Sequence, residues 1–244
     1  MKLNCDMGEA FGAWAMGLDE DIMPFVDQAN IACGFHASDP FTMSKTVALA
    51  RKHNVTIGAH PAYPDLVGFG RRNMDIAPDE LKAIIQYQIG ALQGICQAHG
   101  TKVTYVKPHG ALYNTMMANF HVLETVMQAV CELDNSLILM VMAIPEAEQV
   151  KALAKQYNLA LWFEAFSDRL YTDDGRLTPR KQANAVHKNF DLIEQQVLQL
   201  SEQGSLITES GNTLAVHADT ICVHGDGDHA LEAVQRIRSV VGKR

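Results

Sequence analysis

Seven short apolar runs, alternating with longer amphipathic segments, constrain this chain more than any other feature of it. The runs are Lys2 to Cys5, Ala29 to Cys33, Val55 to Ala59, Val103 to Val106, Leu137 to Val141, Leu159 to Phe163 and Thr220 to Val223. Runs this short and this apolar read as buried strands. Helical stretches, with apolar residues three and four apart, are Phe41 to His53, Pro78 to His99, His121 to Leu133, Glu146 to Tyr157, Arg180 to Gln203 and His229 to Val241. Several boundaries carry the right local chemistry. Asp39-Pro40 supplies a cap and a first-turn proline, Pro78-Asp79-Glu80 opens another helix, and His99-Gly100 closes one. Ser205 to Val216, with Gly211-Asn212 near its middle, alternates instead like a β-hairpin. Strand and helix in alternation form β-α units around a parallel sheet, and seven or eight units in roughly 250 residues is the size of a barrel. The expected fold class is α/β, a single-domain (β/α) barrel of about seven parallel strands spanning residues 1–244. No linker, charge block or internal repeat divides it.

A formal net charge of -8 argues against wholesale binding to nucleic acid or an anionic membrane. The opening M-K-L-N-C-D-M-G-E lacks the apolar stretch of a signal peptide. The longest apolar run, Leu137 to Ile144, ends at Pro145, well short of the roughly 20 residues of a membrane span. Five cysteines, scattered and never spaced C-x-x-C, indicate neither a disulfide framework nor a zinc ribbon. A cytoplasmic protein is expected, with Cys5, Cys33 and Cys222 as small core hydrophobes.

Chemistry gathers where the runs end. Asp6 and Glu9, His36, His60, His109, Glu164 and Asp168, and His224 and Asp226 follow six of the seven. Taken singly, a histidine near a strand end is more often a loop or core residue than a catalyst. In a parallel barrel, however, all the carboxyl ends open on one face, and that face hosts active sites. Residues scattered through the sequence would therefore converge. His53, His99, His121, His187, His217 and His229 fall elsewhere and are assigned structural or solvated roles. Imidazoles and carboxylates together can act as general acids and bases, or ligate a divalent metal. With no contiguous metal motif, a metal would have to be assembled from separate strands, for example by Asp6, His60 and His109; no metal ligand is assigned, and metal content stays open.

Cations share the same face: Lys107, Arg71 and Arg72 after G-F-G, and Arg169. Such groups can hold an anionic substrate or stabilise an oxyanion. H-G-D-G-D-H-A, residues 224–230, formally matches G-x-G-x-x-A, but its aspartates would oppose phosphate and no βαβ unit follows. There is no P-loop motif. Cys33, three residues before His36, is expected to be buried rather than nucleophilic.

From end to end the chain resembles the LamB/YcsF family, the A subunit of bacterial ATP-dependent 5-oxoprolinase. The stretches that carry the likeness are L-N-C-D-M-G-E, A-N-I-A-C-G-F-H-A-S-D-P, I-G-A-H-P-A-Y-P-D-L-V-G-F-G-R-R, V-K-P-H-G-A-L-Y-N, F-S-D-R-L-Y and T-I-C-V-H-G-D. Ser38 and Ala62 stand where the family pattern has glycine. The resemblance implies a distorted barrel akin to the glycoside hydrolase/deacetylase superfamily, opening of the lactam of 5-oxo-L-proline to L-glutamate, B and C partner subunits, and ATP consumed by the complex and bound by those partners.

Within that scheme the expected catalytic residues are Asp6, His60, His109, Glu164 and His224. Asp6 with His60 or His109 would activate water, and His224 would protonate the leaving nitrogen. The expected substrate-binding residues are Asn4, Glu9, His36, Arg72, Lys107, Asp168 and Arg169, with Lys107 and Arg72 on carboxylate or phosphate. Two other functions suit the same face: a metal-dependent carbohydrate or amide deacetylase, and a non-catalytic 5-oxoproline-binding subunit.

Overall fold

The computed structural model describes residues 1–224 and 230–242. Asp226 and His229, with the expected start of the last helix, therefore lie outside the described residues. Strands β1 (Lys2–Met7), β2 (Gln28–Ala32), β3 (Thr56–His60), β4 (Val103–Val106), β5 (Ile138–Met142), β6 (Ala160–Phe166) and β9 (Thr220–Val223) close into a barrel in the order β1-β2-β3-β4-β5-β6-β9. All seven pairings are parallel. The remaining strands, β7 (Ser205–Ile207) and β8 (Thr213–Ala215), form the expected hairpin beside the barrel.

The helices are α1 (Asp19–Ile22), α2 (Pro40–Lys52), α3 (Pro78–Ala98), α4 (Gly110–Ala118), α5 (Phe120–Leu133), α6 (Ala147–Gln156), α7 (Phe190–Gln203) and α8 (Ala230–Val241). None among the described residues is long and apolar enough to cross a membrane. The Asp39 carboxylate caps α2, accepting from the Phe41 and Thr42 amides at 2.9 and 3.1 Å.

Two differences from the expected elements matter for function. Helix α4 starts directly at Gly110, outside the helical stretches that the sequence predicts; its apolar residues run nearly all round it, so no amphipathic period marks it. Helix α7 begins at Phe190, capped by Asn189, rather than at Arg180. The segment before it is loop, and it carries Arg180 and Lys181 to the barrel mouth.

Along each strand alternate residues face the helices, and these make the apolar core: Leu3, Cys5 and Met7 on β1, Ala29 and Ile31 on β2, Ile221 and Val223 on β9. The other face is polar. Inside the barrel Thr220 donates to Gln28 at 2.7 Å, Asn4 to Thr220 at 3.0 Å, Asn30 to Asn4 at 2.8 Å and Tyr105 to Asn30 at 2.6 Å. Gly58 makes room for that tyrosine, since a Cβ there would meet its ring at 2.2 Å. A buried polar layer of this kind is stable only when its members satisfy one another. Here it is the floor on which the mouth is built.

Candidate active site

Asp6, His60 and Glu164 belong to the last rungs of β1, β3 and β6, where rigid backbone aims them at the mouth. Lys107 and His109 follow β4, and their amides are tied to Ala59 O and Pro61 O at 2.8 Å each. The lysine is the hub. Its Nζ lies 3.1 Å from Asp6 Oδ1, 2.7 Å from Glu164 Oε1, 3.2 Å from Asn4 Oδ1 and 3.2 Å from Cys222 Sγ, with only 3% of the residue exposed. Burial alone would lower its pKa, but the acidic groups around it, Asp6 foremost, raise it well above the ordinary value. Asp6 takes Asn30 at 2.8 Å on one oxygen and faces His60 Nε2 at 3.3 Å with the other. Burial raises the Asp6 pKa, yet His60 and Lys107 outweigh it and hold the carboxyl well below its usual range.

The histidines cluster beside this hub. His36 stacks on His109 with ring centroids 3.7 Å apart and planes 6° from parallel, and His109 Nδ1 lies 3.0 Å from His60 Nε2. Glu9 Oε1 is 3.2 Å from His36 Nε2 and 3.8 Å from His109 Nδ1. Donor atoms of Glu9, His36, His60 and His109 all lie within 4.8 Å of one another, close enough to hold a metal ion. Burial and neighbouring imidazoles push the pKa of His36 and of His109 well down, so both rings are neutral ligands or acceptors.

Across the mouth, His224 Nδ1 faces Asp168 at 2.9 Å and its Nε2 faces Arg180 at 3.0 Å. Burial pulls the His224 pKa down, but the Asp168 carboxylate more than reverses this, against Arg180, for a net rise. The cleft between these groups has a volume of about 710 Å³.

Asp6, Glu9, His60, Lys107, His109, Arg169 and His224 line this cleft, as their positions after the strands predict. Asn4, His36, Glu164 and Asp168 stand one layer behind, each in contact with a lining residue. Arg169 also braces its own loop, donating to Thr178 O at 2.7 Å and Ala185 O at 3.3 Å. Arg72 departs from its expected place. It is bound to the buried carboxylate of Asp65, and Arg71 occupies the cleft wall instead. Among the described residues, His53, His99, His121, His187 and His217 lie outside the lining. Cys33 is buried and its thiol pushed up to about 12, chiefly by that burial, which leaves it inert.

The cleft also has walls that strand-end reading misses. Tyr113, on the unexpected helix α4, donates to Glu164 at 2.8 Å, and Arg176, Arg180 and Lys181 add positive charge from the long β6–α7 loop. Asp19 lines it too; burial raises its pKa to about 6, with Glu9 and Glu20 adding to the rise against a hydrogen bond from Gly8. Tyr113 sits within V-K-P-H-G-A-L-Y-N and could have been found there. The loop cations carry no sequence signal of their own.

A profile of the LamB/YcsF family matches residues 1–244. The chain is 54% identical over its whole length to the A subunit of 5-oxoprolinase from Pseudomonas fluorescens (strain Pf0-1), covering 98% of that protein. It is 52% identical to the 5-oxoprolinase A subunit of Vibrio vulnificus (strain YJ016), again over its whole length and 98% of the relative. Among solved structures, the lactam utilization protein from Thermus thermophilus superposes with a TM-score of 0.91 at 37% identity, over 99% of this chain and 95% of that one. A more distant barrel, from Enterococcus faecalis V583, shares the fold alone, with a TM-score of 0.57 at 12% identity over 100% of this chain and 90% of that one.

Proposed function

This chain belongs to the LamB/YcsF family, and on that premise we propose that its barrel mouth is where an activated lactam ring is opened. The chain has the role of the A subunit in 5-oxoprolinase, a hydrolase component of a multi-subunit lactam-opening system. Its partners in our proposal are the B and C subunits, the substrate is 5-oxo-L-proline, the complex works in the cytoplasm, and the ATP that it uses is bound by the partners.

One observation carries the assignment of the site. An ionised carboxylate, Asp6, meets a buried cation, Lys107, and an imidazole, His60, at the floor of a cleft whose upper walls carry Arg71, Arg176 and Arg180. A carboxylate held ionised is a proton acceptor for water, and the arginines complement a substrate carrying carboxylate and phosphate.

In this scheme, phosphorylation of the lactam oxygen by ATP makes the ring carbon electrophilic. Water adds to that carbon, losing a proton to Asp6, with His60 and His109 beside it. The C–N bond breaks as His224, protonated on Nε2 once Arg180 turns from it to the substrate, delivers a proton to the ring nitrogen, leaving a glutamyl phosphate. A second water displaces phosphate and releases glutamate. Lys107 and the arginines stabilise negative charge on the oxygens throughout. Glu164 and Tyr113 position the lysine, and Asp168 positions His224.

Glutamate release from 5-oxoproline with ATP, with each subunit omitted in turn, tests the function; loss on omitting this chain is expected. Full activity of the complex containing Asp6→Asn, and of that containing His109→Ala, would put the site elsewhere.

A further inference from the structure

Two imidazoles at the mouth are arranged as no pair of neutral rings would be. His60 Nδ1 lies 2.6 Å from the carbonyl oxygen of Lys107, and His109 Nε2 lies 3.0 Å from that of Phe69. A carbonyl only accepts, so each of these nitrogens carries its ring's proton. The opposite nitrogens, His60 Nε2 and His109 Nδ1, are then bare lone pairs, and they face each other at 3.0 Å. Something positive has to stand between or beside them.

A single proton on His60 Nε2 would satisfy that pair and Asp6 Oδ2, 3.3 Å from the same nitrogen, and nothing more. It would not account for His36, whose ring lies parallel to His109, or for Glu9, whose Oε1 approaches both rings. Four donors from four segments of chain converge within 4.8 Å. A ring N–H anchored to a backbone carbonyl with the other nitrogen aimed inward is how metal-binding histidines are oriented. Ligands about 2.0–2.1 Å from a tetrahedral ion also stand roughly 3.4 Å from one another, close to the observed spacing.

The surroundings preserve this arrangement. Gly70 has a φ of +64°, and a Cβ on it would meet His109 Cδ2 and His36 Cβ at 2.8 Å each. The backbone can lie against both rings only because that residue is glycine. His36 Nδ1 is buried without a partner, so this ring is held by stacking rather than by an outer hydrogen bond. Asp6 gives one oxygen to Lys107 and Asn30 and turns the other to His60 Nε2 at 3.3 Å, whereas Glu9 Oε1 approaches both His36 and His109 and is the carboxylate of the set. Glu9, His60 and His109 also line the cleft, so a bound ion would be reachable from it.

We propose that His36, His60, His109 and Glu9 form a binding site for one divalent transition-metal ion, with zinc as the best match to three imidazoles and a carboxylate. The proposal deepens the site described above but rests on the donor geometry alone. Binding is measured without turnover, so loss of the lactam assignment and loss of the metal assignment are separate results.

The test uses the full chain, stripped with a chelator and dialysed, then titrated with zinc chloride by calorimetry and with cobalt chloride by visible absorption. One equivalent of each ion is expected, with cobalt bands of a low-symmetry nitrogen and oxygen site. His60→Gln and His109→Gln should each weaken zinc binding by at least about tenfold, His36→Gln by less, and His99→Gln, outside the cleft, not at all. Should the buried variants fail to fold, nitrogen-15 spectra of the wild-type imidazoles decide. His60 protonated at Nδ1 and His109 at Nε2, with zinc shifting the other nitrogen of each, support the site. Absence of stoichiometric zinc and cobalt binding, undiminished binding in folded His60→Gln and His109→Gln, or the opposite tautomers would overturn it.

Discussion

Lys107 Nζ and Glu164 Oε1 lie 2.7 Å apart, both residues buried where the barrel interior meets the cleft. Breaking such a pair from one side strands the other charge, at a typical cost of about 3–5 kcal/mol. Lys107→Met should therefore lower the stability of the chain by about that much, and Lys107→Met with Glu164→Gln should recover part of it. Urea unfolding followed by fluorescence and circular dichroism measures both. A double variant no more stable than the single one would remove Glu164 from the role of counter-charge.

Asp6 links stability to acid and activity to proton transfer. Its folded pKa lies well below the ordinary 3.8. The ionised carboxylate thus stabilises the fold above the unfolded value, and that stabilisation is lost as pH falls through the folded one. Urea midpoints measured downward from about pH 5 should drop below about pH 4, and drop less steeply in Asp6→Asn. In the assembled complex the same variant should lose about 10²–10⁴-fold in kcat with little change in KM, as loss of a general base does.

The two adjacent arginines separate binding from structure. Arg71 lines the cleft, whereas Arg72 is bound to Asp65. Arg71→Ala should raise KM for the complex by about tenfold, the loss of one charge-assisted contact. Arg72→Ala should leave KM near wild type and instead speed proteolysis of the loop it closes. The opposite pattern would return the substrate contact to Arg72.

The apolar runs made the barrel legible because seven strands buried on their outer faces cannot hide their composition, and the residues ending them had to share one face. That logic located Asp6, His60, Lys107, His109 and His224 in the cleft. It failed where no period exists. Helix α4 is apolar on nearly every side, and the segment carrying Arg180 and Lys181 owes its position to a loop rather than to a repeat. It also could not choose between Arg71 and Arg72, because the choice is made by Asp65, a buried carboxylate seven residues before Arg72.

Ser38, where the family pattern has glycine, has a φ of +74° and is fully buried. A side chain in the left-handed region costs about 1–2 kcal/mol, while glycine adds about 0.4–1 kcal/mol of unfolded-state freedom. Ser38→Gly should give a small net gain in stability, read as a higher urea midpoint with unchanged slope. A lower midpoint would mean that the serine hydroxyl is worth more than its strain.

The last strand has a consequence for how the molecule is made. Strand β9 stands between β1 and β6, bringing Thr220 to Asn4 and Cys222 to Lys107. A nascent chain leaving the ribosome therefore exposes two unpaired strand edges and an unfinished polar interior until Val223 has emerged. For most of its synthesis the barrel has open edges of the kind that pair wrongly, and stalling anywhere before that point leaves the chain with no closed barrel to fold into.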